Sequence, residues 1–389
     1  MDLEDAARSF VVDHALGQAE IDAAVRVLTS RAITTGPEVR LFERELAGRF
    51  GVPDVLAMGS CTAAMHLALI ASDIGPGDEV ITTPITFPAT ANVILAVGAT
   101  PIFADIDPIT LNLDPESVAA AITSKTRAVM PVHLGGAACD LTGLKSVADR
   151  FGLTVIADCA HAVDSRVDGV HVARAADISC FSFYATKNIT SVEGGALVAG
   201  PDVLARARLL ARHGLDFTWD GAMSATAAGY TPREAGYKYN LSDLHAAIGR
   251  VQLGRMDSLQ ATRRAAVAVY DDLLRGLPGV ALPARTSTTD HGWYLYQLRF
   301  AGTDGAAAAA RREHVRSELA AAGIATGAYY RPLHQYELYQ RTARVGPGGL
   351  AAAEDAYPRQ LALPLHGRLT TVDAAEIGNA VIAALGTAP

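Results

Sequence analysis

The chain has 389 residues, of which 50% are hydrophobic and 19% charged, so it can bury a large core and suits two domains better than one small domain. Its formal net charge of −8 argues against a nucleic-acid partner. No apolar run reaches the roughly eighteen residues that a membrane span needs, and Met1 to Asp5 lack the features of a signal peptide. We therefore expect a cytoplasmic chain without a membrane partner.

Two helices are predicted first in the chain, and a strand, turn and helix unit follows them. A helix is predicted over Ala19 to Leu28, turn residues follow at 33–37, and the next helix starts near Glu38. A buried strand at Val55–Met58 then leads through the small residues 59–64 into an apolar helix. The amides at such a helix start can bind phosphate, although a plain capped unit, with Ser60 or Thr62 as cap, remains an alternative.

Strand and helix patterns alternate through the next hundred residues. Buried strands are predicted at Glu79–Thr83, Pro101–Ala104, Arg127–Val132, Leu153–Ala157 and Ile178–Phe183. This alternation predicts a mainly parallel sheet with helices on both faces.

The ends of two of these strands carry an acid and an amine. Asp158 follows the strand at 153–157, and Lys187 lies in the polar turn after the strand at 178–183. Ligands of open α/β sheets gather at the carboxyl ends of the strands. A lysine and an aspartate placed there suit pyridoxal phosphate (PLP), which needs an amine for a Schiff base and a carboxylate beside its pyridine nitrogen.

The pattern changes after residue 198. Residues 214–235, with Trp219 and Pro232, are predicted to form a loop, and Ser242 is a good N-cap for a long helix. Helical patterns continue from about residue 250, interrupted by a predicted strand at Trp293–Phe300.

No metal site is predicted from the cysteines and histidines. The four cysteines, Cys61, Cys139, Cys159 and Cys180, lack CxxC spacing, and His133 has no second ligand pair at zinc spacing. Three of the four lie in apolar surroundings, where a reduced, buried thiol is the expected state.

Three segments together resemble the DegT-type nucleotide-sugar aminotransferases, which are PLP enzymes of fold type I. They are Asp158-Cys159-Ala160-His161, Ser182-Phe183-Tyr184-Ala185-Thr186-Lys187-Asn188 and Gly236-Tyr237-Lys238-Tyr239-Asn240. The resemblance runs from about residue 12 to about residue 385. It implies an α/β fold with an N-terminal segment (1–29) that packs on the small domain, a large PLP-binding domain (30–248) and a smaller α+β domain (249–389).

The resemblance also implies roles for individual residues. Lys187 would bind PLP covalently and, once released, move the substrate proton, while Asp158 would keep the pyridine nitrogen protonated and His161 would orient the ring or its phenolic oxygen. The phosphate would be held by Cys61, Thr62 and Ser182, the pyridine face would stack on Phe87, and Asn240 would reach the partner's phosphate in a homodimer with shared sites. The substrate side would include Thr35, Tyr330, Arg331 and His334.

The segment 323–334 resembles the family's small-domain strand that faces the active site. One position departs from the family pattern: Tyr294 stands where many members have His, at a place that the resemblance would assign to substrate contact.

The function implied is amino transfer in two halves. An amino acid, usually L-glutamate, converts PLP to pyridoxamine phosphate, which then aminates a nucleotide-linked keto sugar. The resemblance is closest to members acting at carbon 4 of a 4-keto-6-deoxy sugar. A 3-keto sugar, a ketocyclitol or a non-catalytic PLP-binding regulator remain alternatives. Lys187 argues against the family's dehydratases, which have His there, and no Gly-x-Gly-x-x-Gly follows a first strand to support a nicotinamide enzyme.

Overall fold

The structure, a computed structural model, describes residues 7–217, 230–286 and 289–387. The strands in these ranges are β1 Leu56–Met58, β2 Glu79–Thr82, β3 Thr100–Phe103, β4 Thr126–Met130, β5 Thr154–Asp158, β6 Arg166–Val167, β7 Val170–His171, β8 Ile178–Ser182, β9 Gly195–Val198, β10 Leu215–Phe217, β11 Tyr230–Pro232, β12 Val280–Ala281, β13 Thr289–Asp290, β14 Tyr296–Phe300, β15 Arg344–Val345 and β16 Gln360–Leu363. The helices are α1 Gln18–Leu28, α2 Pro37–Phe50, α3 Cys61–Ala71, α4 Ala89–Ala96, α5 Pro115–Ala121, α6 Leu141–Phe151, α7 Pro201–Leu210, α8 Asp243–Gly254, α9 Met256–Leu274, α10 Gly305–Ala321, α11 Glu337–Thr342, α12 Ala351–Ala356 and α13 Thr371–Thr387.

The central sheet has the strand order β1-β9-β8-β5-β4-β2-β3-β15. Strand β9 runs antiparallel to β1 and β8, and the other neighbouring strands are parallel. The centre of strand β5 is apolar, with Val155, Ile156 and Ala157 fully buried, as expected for a sheet covered on both faces. The predicted α/β class, with a mainly parallel sheet flanked by helices, is confirmed.

A smaller antiparallel sheet of β12, β14 and β16 lies in the C-terminal part of the chain. Helices α9, α10 and α13 cover it, and their core includes Tyr270, Tyr296, Leu298 and Ile377. This part of the chain also adds β15 to the edge of the central sheet, where it pairs with β3.

The N-terminal segment is bonded to this C-terminal part. The carbonyls of Arg8 and Val11 accept hydrogen bonds from the amides of Ala325 and Leu365, each at 2.8 Å. Helix α1 then packs on α8, with Ala23 and Val27 against Ala247.

Three predicted elements differ from the structure. The stretch 214–235, predicted as a loop, contains the paired strands β10 and β11, while Trp219 lies outside the described residues. The stretch 323–334 is not a strand, because within the described part of the chain its one ladder contact is an isolated bridge between Gly327 and Ala362. The strand predicted from residue 293 begins at Tyr296, since Trp293 has a φ of 49°, which breaks the extended backbone.

Within the described ranges, no helix is long and apolar enough to cross a membrane.

Candidate active site

A cavity of about 430 Å³ opens at the carboxyl edge of the central sheet. The turns after β1, β2, β5 and β8 all end there, so side chains far apart in sequence meet on one wall. Eight of the residues predicted for the site line this cavity: Cys61, Thr62, Phe87, Asp158, His161, Ser182, Lys187 and Tyr330.

Asp158, the last residue of β5, presents a buried carboxylate to the cavity. The side chain is 4% exposed, and Oδ1 accepts from the Ala160 amide at 3.0 Å, with the Cys61 thiol 3.9 Å away. Oδ2 accepts from the Thr90 hydroxyl at 2.9 Å. Burial raises the pKa of this carboxyl above its ordinary value, while these donors and the charge of Lys187 act in the opposite direction.

Thr90 is itself held by a second hydroxyl. Its Oγ1 lies 2.8 Å from Oγ1 of Thr86, and both side chains are buried. Because Thr90 has one hydroxyl hydrogen and directs it to Asp158, the Thr86 hydroxyl is the donor to Thr90. The pair therefore orients the carboxylate from the α4 side.

The N-terminus of α3 forms one end of the cavity. The hydroxyl of Ser60 caps the helix by accepting from the Ala63 amide at 3.0 Å. The first amides of a helix have no intrahelical acceptor, so those of Cys61 and Thr62 remain for an anion, and the helix dipole favours negative charge there. The hydroxyl of Ser182, at the end of β8, lines the same cavity.

A close approach of β9 to this helix start requires glycine. A Cβ at Gly195 would lie 2.3 Å from the carbonyl carbon of Ser60 and 2.4 Å from the amide nitrogen of Cys61. Only glycine allows the backbone of β9 to come this near to the turn. The position of the two free amides thus depends on the absence of a side chain at residue 195.

Lys187 lies in a compact turn after β8. Its amide donates to the Tyr184 carbonyl at 3.0 Å, and the side chain of Asn188 donates to the Gly292 carbonyl at 2.6 Å. The ammonium nitrogen of Lys187 lies 4.5 Å from the centroid of the Tyr294 ring. This is a cation–π contact, and it directs the amine into the cavity.

His161 is 5% exposed and stacks on Tyr294, with 4.2 Å between ring centroids and 21° between ring planes. Its Nδ1 accepts from the Gly135 amide at 3.3 Å, and its Nε2 lies 3.3 Å from the hydroxyl of Tyr330. Burial, and next the charge of Lys187, lower the pKa of His161 well below its ordinary value, so the ring is neutral.

Phe87 stands at the mouth of the cavity and is 59% exposed. It meets Tyr330 edge-on, with ring centroids 6.2 Å apart. An aromatic face this open can stack against a flat ligand ring.

Four predicted site residues do not line this cavity within their own chain. The amide of Asn240 donates to the hydroxyl of Thr35 at 2.6 Å. Arg331 lies over the ring of Tyr336, and Nε2 of His334 bonds Glu354 at 3.0 Å.

The cavity also contains residues that the sequence did not single out. Thr86, Glu193 and Tyr329 line it, and Thr90 supports Asp158 from behind the wall. The signal available for Thr86 was its place shortly after a predicted strand, in the segment that also supplies Phe87. Among the described residues, no group of three or more His, Cys, Asp or Glu side chains could hold a metal ion.

These groups fit the parts of PLP. The two free amides and Ser182 suit its phosphate, the buried carboxylate of Asp158 suits a protonated pyridine nitrogen, and the amine of Lys187 suits its aldehyde. A mainly parallel α/β sheet with this set at its carboxyl edge defines a PLP-dependent enzyme.

Comparison with known proteins places the chain within that class. The DegT/DnrJ/EryC1/StrS aminotransferase family matches residues 14–382. The spore coat polysaccharide biosynthesis protein SpsC of Bacillus subtilis is 38% identical over 368 residues, covering 94% of each chain. The protein belongs to the DegT/DnrJ/EryC1/StrS aminotransferase family.

Solved structures agree with this assignment. The putative sugar aminotransferase Spr1654 from Streptococcus pneumoniae, solved in PMP and PLP forms, superposes with TM-scores of 0.89 and 0.88. The PMP form is 31% identical and covers 97% of this chain and 99% of its own. Helicobacter pylori PseC, an aminotransferase of pseudoaminic acid biosynthesis, has a TM-score of 0.89 at 27% identity, with coverage of 97% and 99%. The protein is a PLP-dependent sugar aminotransferase.

Proposed function

We propose that the enzyme transfers an amino group from L-glutamate to carbon 4 of a nucleotide-linked 4-keto-6-deoxy sugar. The observation that carries this proposal is the Ala185-Thr186-Lys187-Asn188 motif, which resembles that of family members acting at carbon 4 and whose lysine shares one cavity with Asp158. The Gly236-Tyr237-Lys238-Tyr239-Asn240 motif supports the same choice. The product belongs to the biosynthesis of a deoxyamino sugar. SpsC is named for spore coat polysaccharide biosynthesis and PseC for pseudoaminic acid biosynthesis, and both names are consistent with a sugar pathway.

The side chains of the cavity divide the work between binding and proton transfer. When bound, PLP supplies an electron sink for negative charge at the reacting carbon. Lys187 binds the cofactor and, when its amine is free, moves the proton at that carbon. Asp158 keeps a proton on the pyridine nitrogen, and the amides of Cys61 and Thr62 with Ser182 hold the phosphate.

We also propose a homodimer with shared sites, supported by a count of charges. Among the described residues that line the cavity, Lys187 is the one Lys or Arg side chain. A cofactor phosphate, a nucleotide diphosphate and a donor carboxylate are all anions, so one cation is too few. A second subunit can supply further donors.

The surroundings of Asn240 support a role in the partner's site. The backbone before Asn240 lies beside the end of β1, because the Tyr239 carbonyl accepts a hydrogen bond from the Gly59 amide at 2.8 Å. The Asn240 side chain, however, bonds Thr35 and does not line the cavity of its own subunit. Lys238, whose ammonium contacts the Asn240 side chain at 2.6 Å, projects with it. We propose that this segment reaches the phosphate of the neighbouring subunit.

We propose that residues 30–248 form the large domain and residues 249–389 the small domain, on which residues 1–29 pack. We also propose that Thr35, Arg331 and His334 lie on the substrate side of the active site. A cytoplasmic location is proposed as well, because the four cysteines are free and buried, which suits a reducing compartment.

The proposed reaction is tested by incubating the enzyme with ¹⁵N-labelled glutamate and a panel of nucleotide sugars carrying a keto group at carbon 4 or carbon 3, together with a ketocyclitol. We expect mass spectrometry to find ¹⁵N in the 4-keto product, with NMR placing it at carbon 4. The Lys187→Ala variant is the control for uncatalysed amination. Amination of the 3-keto sugar or ketocyclitol alone, or no amination despite bound PLP, would contradict the proposal.

A further inference from the structure

The peptide of Gly135 fixes which nitrogen of His161 carries the hydrogen. A backbone amide can only donate, and the Gly135 N–H points at Nδ1 of His161 at 3.3 Å. Nδ1 must therefore present its lone pair. Burial and the charge of Lys187 lower the pKa of His161 and keep the ring neutral, so it has a single N–H hydrogen, and this hydrogen is on Nε2.

That hydrogen has an acceptor in the hydroxyl of Tyr330. Nε2 of His161 lies 3.3 Å from the Tyr330 oxygen, and the donor is the imidazole because Nε2–H has no free lone pair. The phenolic hydrogen of Tyr330 is thereby left without a role in this contact. The hydrogen bonds run in one direction, from Gly135 through His161 to Tyr330.

The ring of His161 is held in this orientation from its flat side. Tyr294 stacks on it, and the Tyr294 amide donates to the carbonyl of Gly135 at 3.0 Å. One residue, Gly135, thus bonds the ring of His161 and the backbone of Tyr294. Gly135 has a φ of 62°, in the left-handed region, and a Cβ there would lie 3.1 Å from the amide oxygen of Gln297, so glycine is favoured.

The Tyr330 hydroxyl is a neutral donor at the cavity wall. Burial, with the neighbouring Tyr294, Tyr329 and Asp158, raises the pKa of Tyr330 well above its ordinary value. Phe87 borders its ring on one side and His161 on the other. Tyr330 lines the cavity, so an oxygen acceptor bound there can meet this donor.

We propose that Tyr330 is a catalytic residue that donates its phenolic hydrogen to an oxygen atom of the bound ligand, and that His161 is a positioning residue that acts through it. The proposal rests on the proposed function and refines it. The acceptor is an oxygen with lone pairs, which the phenolic oxygen of PLP and the carbonyl oxygen of a keto substrate both provide. His161 then directs its own hydrogen to Tyr330 and not to the ligand.

The direction of the hydrogen bonds is tested without turnover. In the holoenzyme labelled with ¹⁵N-histidine, we expect His161 to be neutral from pH 6 to 9 with its hydrogen on Nε2. The His161→Gln variant identifies its signal among those of the eleven histidines. A hydrogen on Nδ1, or a charged ring, would overturn the proposal.

The donor itself is tested with Tyr330→Phe, which removes one hydroxyl and keeps the ring. Tyr329→Phe is the matched comparison, because Tyr329 lines the same cavity and has no bond to His161 among the described contacts. If PLP supplies the acceptor, Tyr330→Phe shifts the pH at which the visible band of the substrate-free holoenzyme changes. If the substrate supplies it, the band is unchanged and the sugar half-reaction slows by about 10- to 100-fold, more than with Tyr329→Phe.

Equal behaviour of the two variants in both measurements would overturn the proposal. Failure of the proposed function has a different signature. In that case the wild-type enzyme aminates no keto sugar, while the band titration and the His161 signal still report on Tyr330.

Discussion

The Asp158 carboxylate is buried and held by the Ala160 amide and the Thr90 hydroxyl, so its direction is set before a cofactor arrives. Replacing it by asparagine keeps the shape and removes the charge that we propose to hold the pyridine proton. An opposite charge in contact shifts a pKa by about one to three units, so we expect Asp158→Asn to lower turnover by about 10- to 1,000-fold. PLP affinity should fall much less, because Lys187 and the phosphate contacts remain. Steady-state rates and equilibrium dialysis check this, and near-normal turnover would show that Asp158 is not the partner.

The same variant has an expected effect on the apoenzyme. Burial raises the pKa of Asp158, so the folded chain holds that proton more tightly than the unfolded chain. The favourable contribution is present below the unfolded-state pKa, about 3.9, and is lost as the pH rises through the raised folded value. Apo Asp158→Asn should therefore gain stability relative to wild type with rising pH, with a Tm higher by about 1 to 3 °C at pH 7. A Tm difference that is the same at pH 4 and pH 7 would contradict this.

For single residues, the sequence predicted the functional side chains near strand ends better than the side chains that hold them in place. Asp158 and Lys187 could be found because the first ends a buried strand and the second lies in the turn after another, at the sheet edge where ligands bind. Thr90 could not, because a buried threonine in a helix has no pattern that distinguishes a donor to a carboxylate from ordinary packing. The contact between Tyr294 and the amine of Lys187 depends on a fold that joins residues more than a hundred positions apart.

Among the elements, the turn between β1 and α3 depends on its neighbour β9. A Cβ at residue 195 would collide with backbone atoms of Ser60 and Cys61, which cannot rotate away. We expect Gly195→Ala to displace the free amides and raise the dissociation constant of PLP by on the order of tenfold or more.

The matched control for this change is Gly48→Ala in the interior of α2, where nothing lies within 4 Å of the added Cβ. It should leave PLP binding unchanged and, if anything, stabilise the helix. Fluorescence titration of the two apoenzymes with PLP makes the comparison. Equal PLP affinity in both variants would show that the phosphate-binding amides of Cys61 and Thr62 tolerate a shift of β9.

Long elements were predicted more accurately than short ones. Strands β1 to β5 and β8 of the central sheet and the helix capped by Ser242 follow from apolar runs and capping residues. Strands β10, β11 and β15 have two or three residues each, and they exist because a partner strand lies alongside, which no local pattern reveals. The strand expected within 323–334 was wrong, because it rested on resemblance to a family segment and, among the described residues, the structure has only an isolated bridge there.

At the scale of the whole molecule, the proposed shared site makes a prediction about mixed subunits. Lys187→Ala and Asn240→Ala chains should each be weakly active alone. After subunit exchange, half of the dimers are mixed and each has one intact site, so about a quarter of the wild-type activity should return. Activity assays on the mixture, with mixed dimers verified by mass, make the test. An active monomer in gel filtration, or no rescue, would refute the shared site.

The central claim is that Lys187 carries the cofactor at the edge of the sheet, opposite Asp158. The most direct measurement is reduction of the holoenzyme with borohydride, followed by digestion and mass spectrometry of the labelled peptide. We predict loss of the visible band and one pyridoxyl-modified residue, Lys187, with no such peptide from Lys187→Ala. A label on another lysine, or an unmodified Lys187 in reduced holoenzyme, would contradict the account.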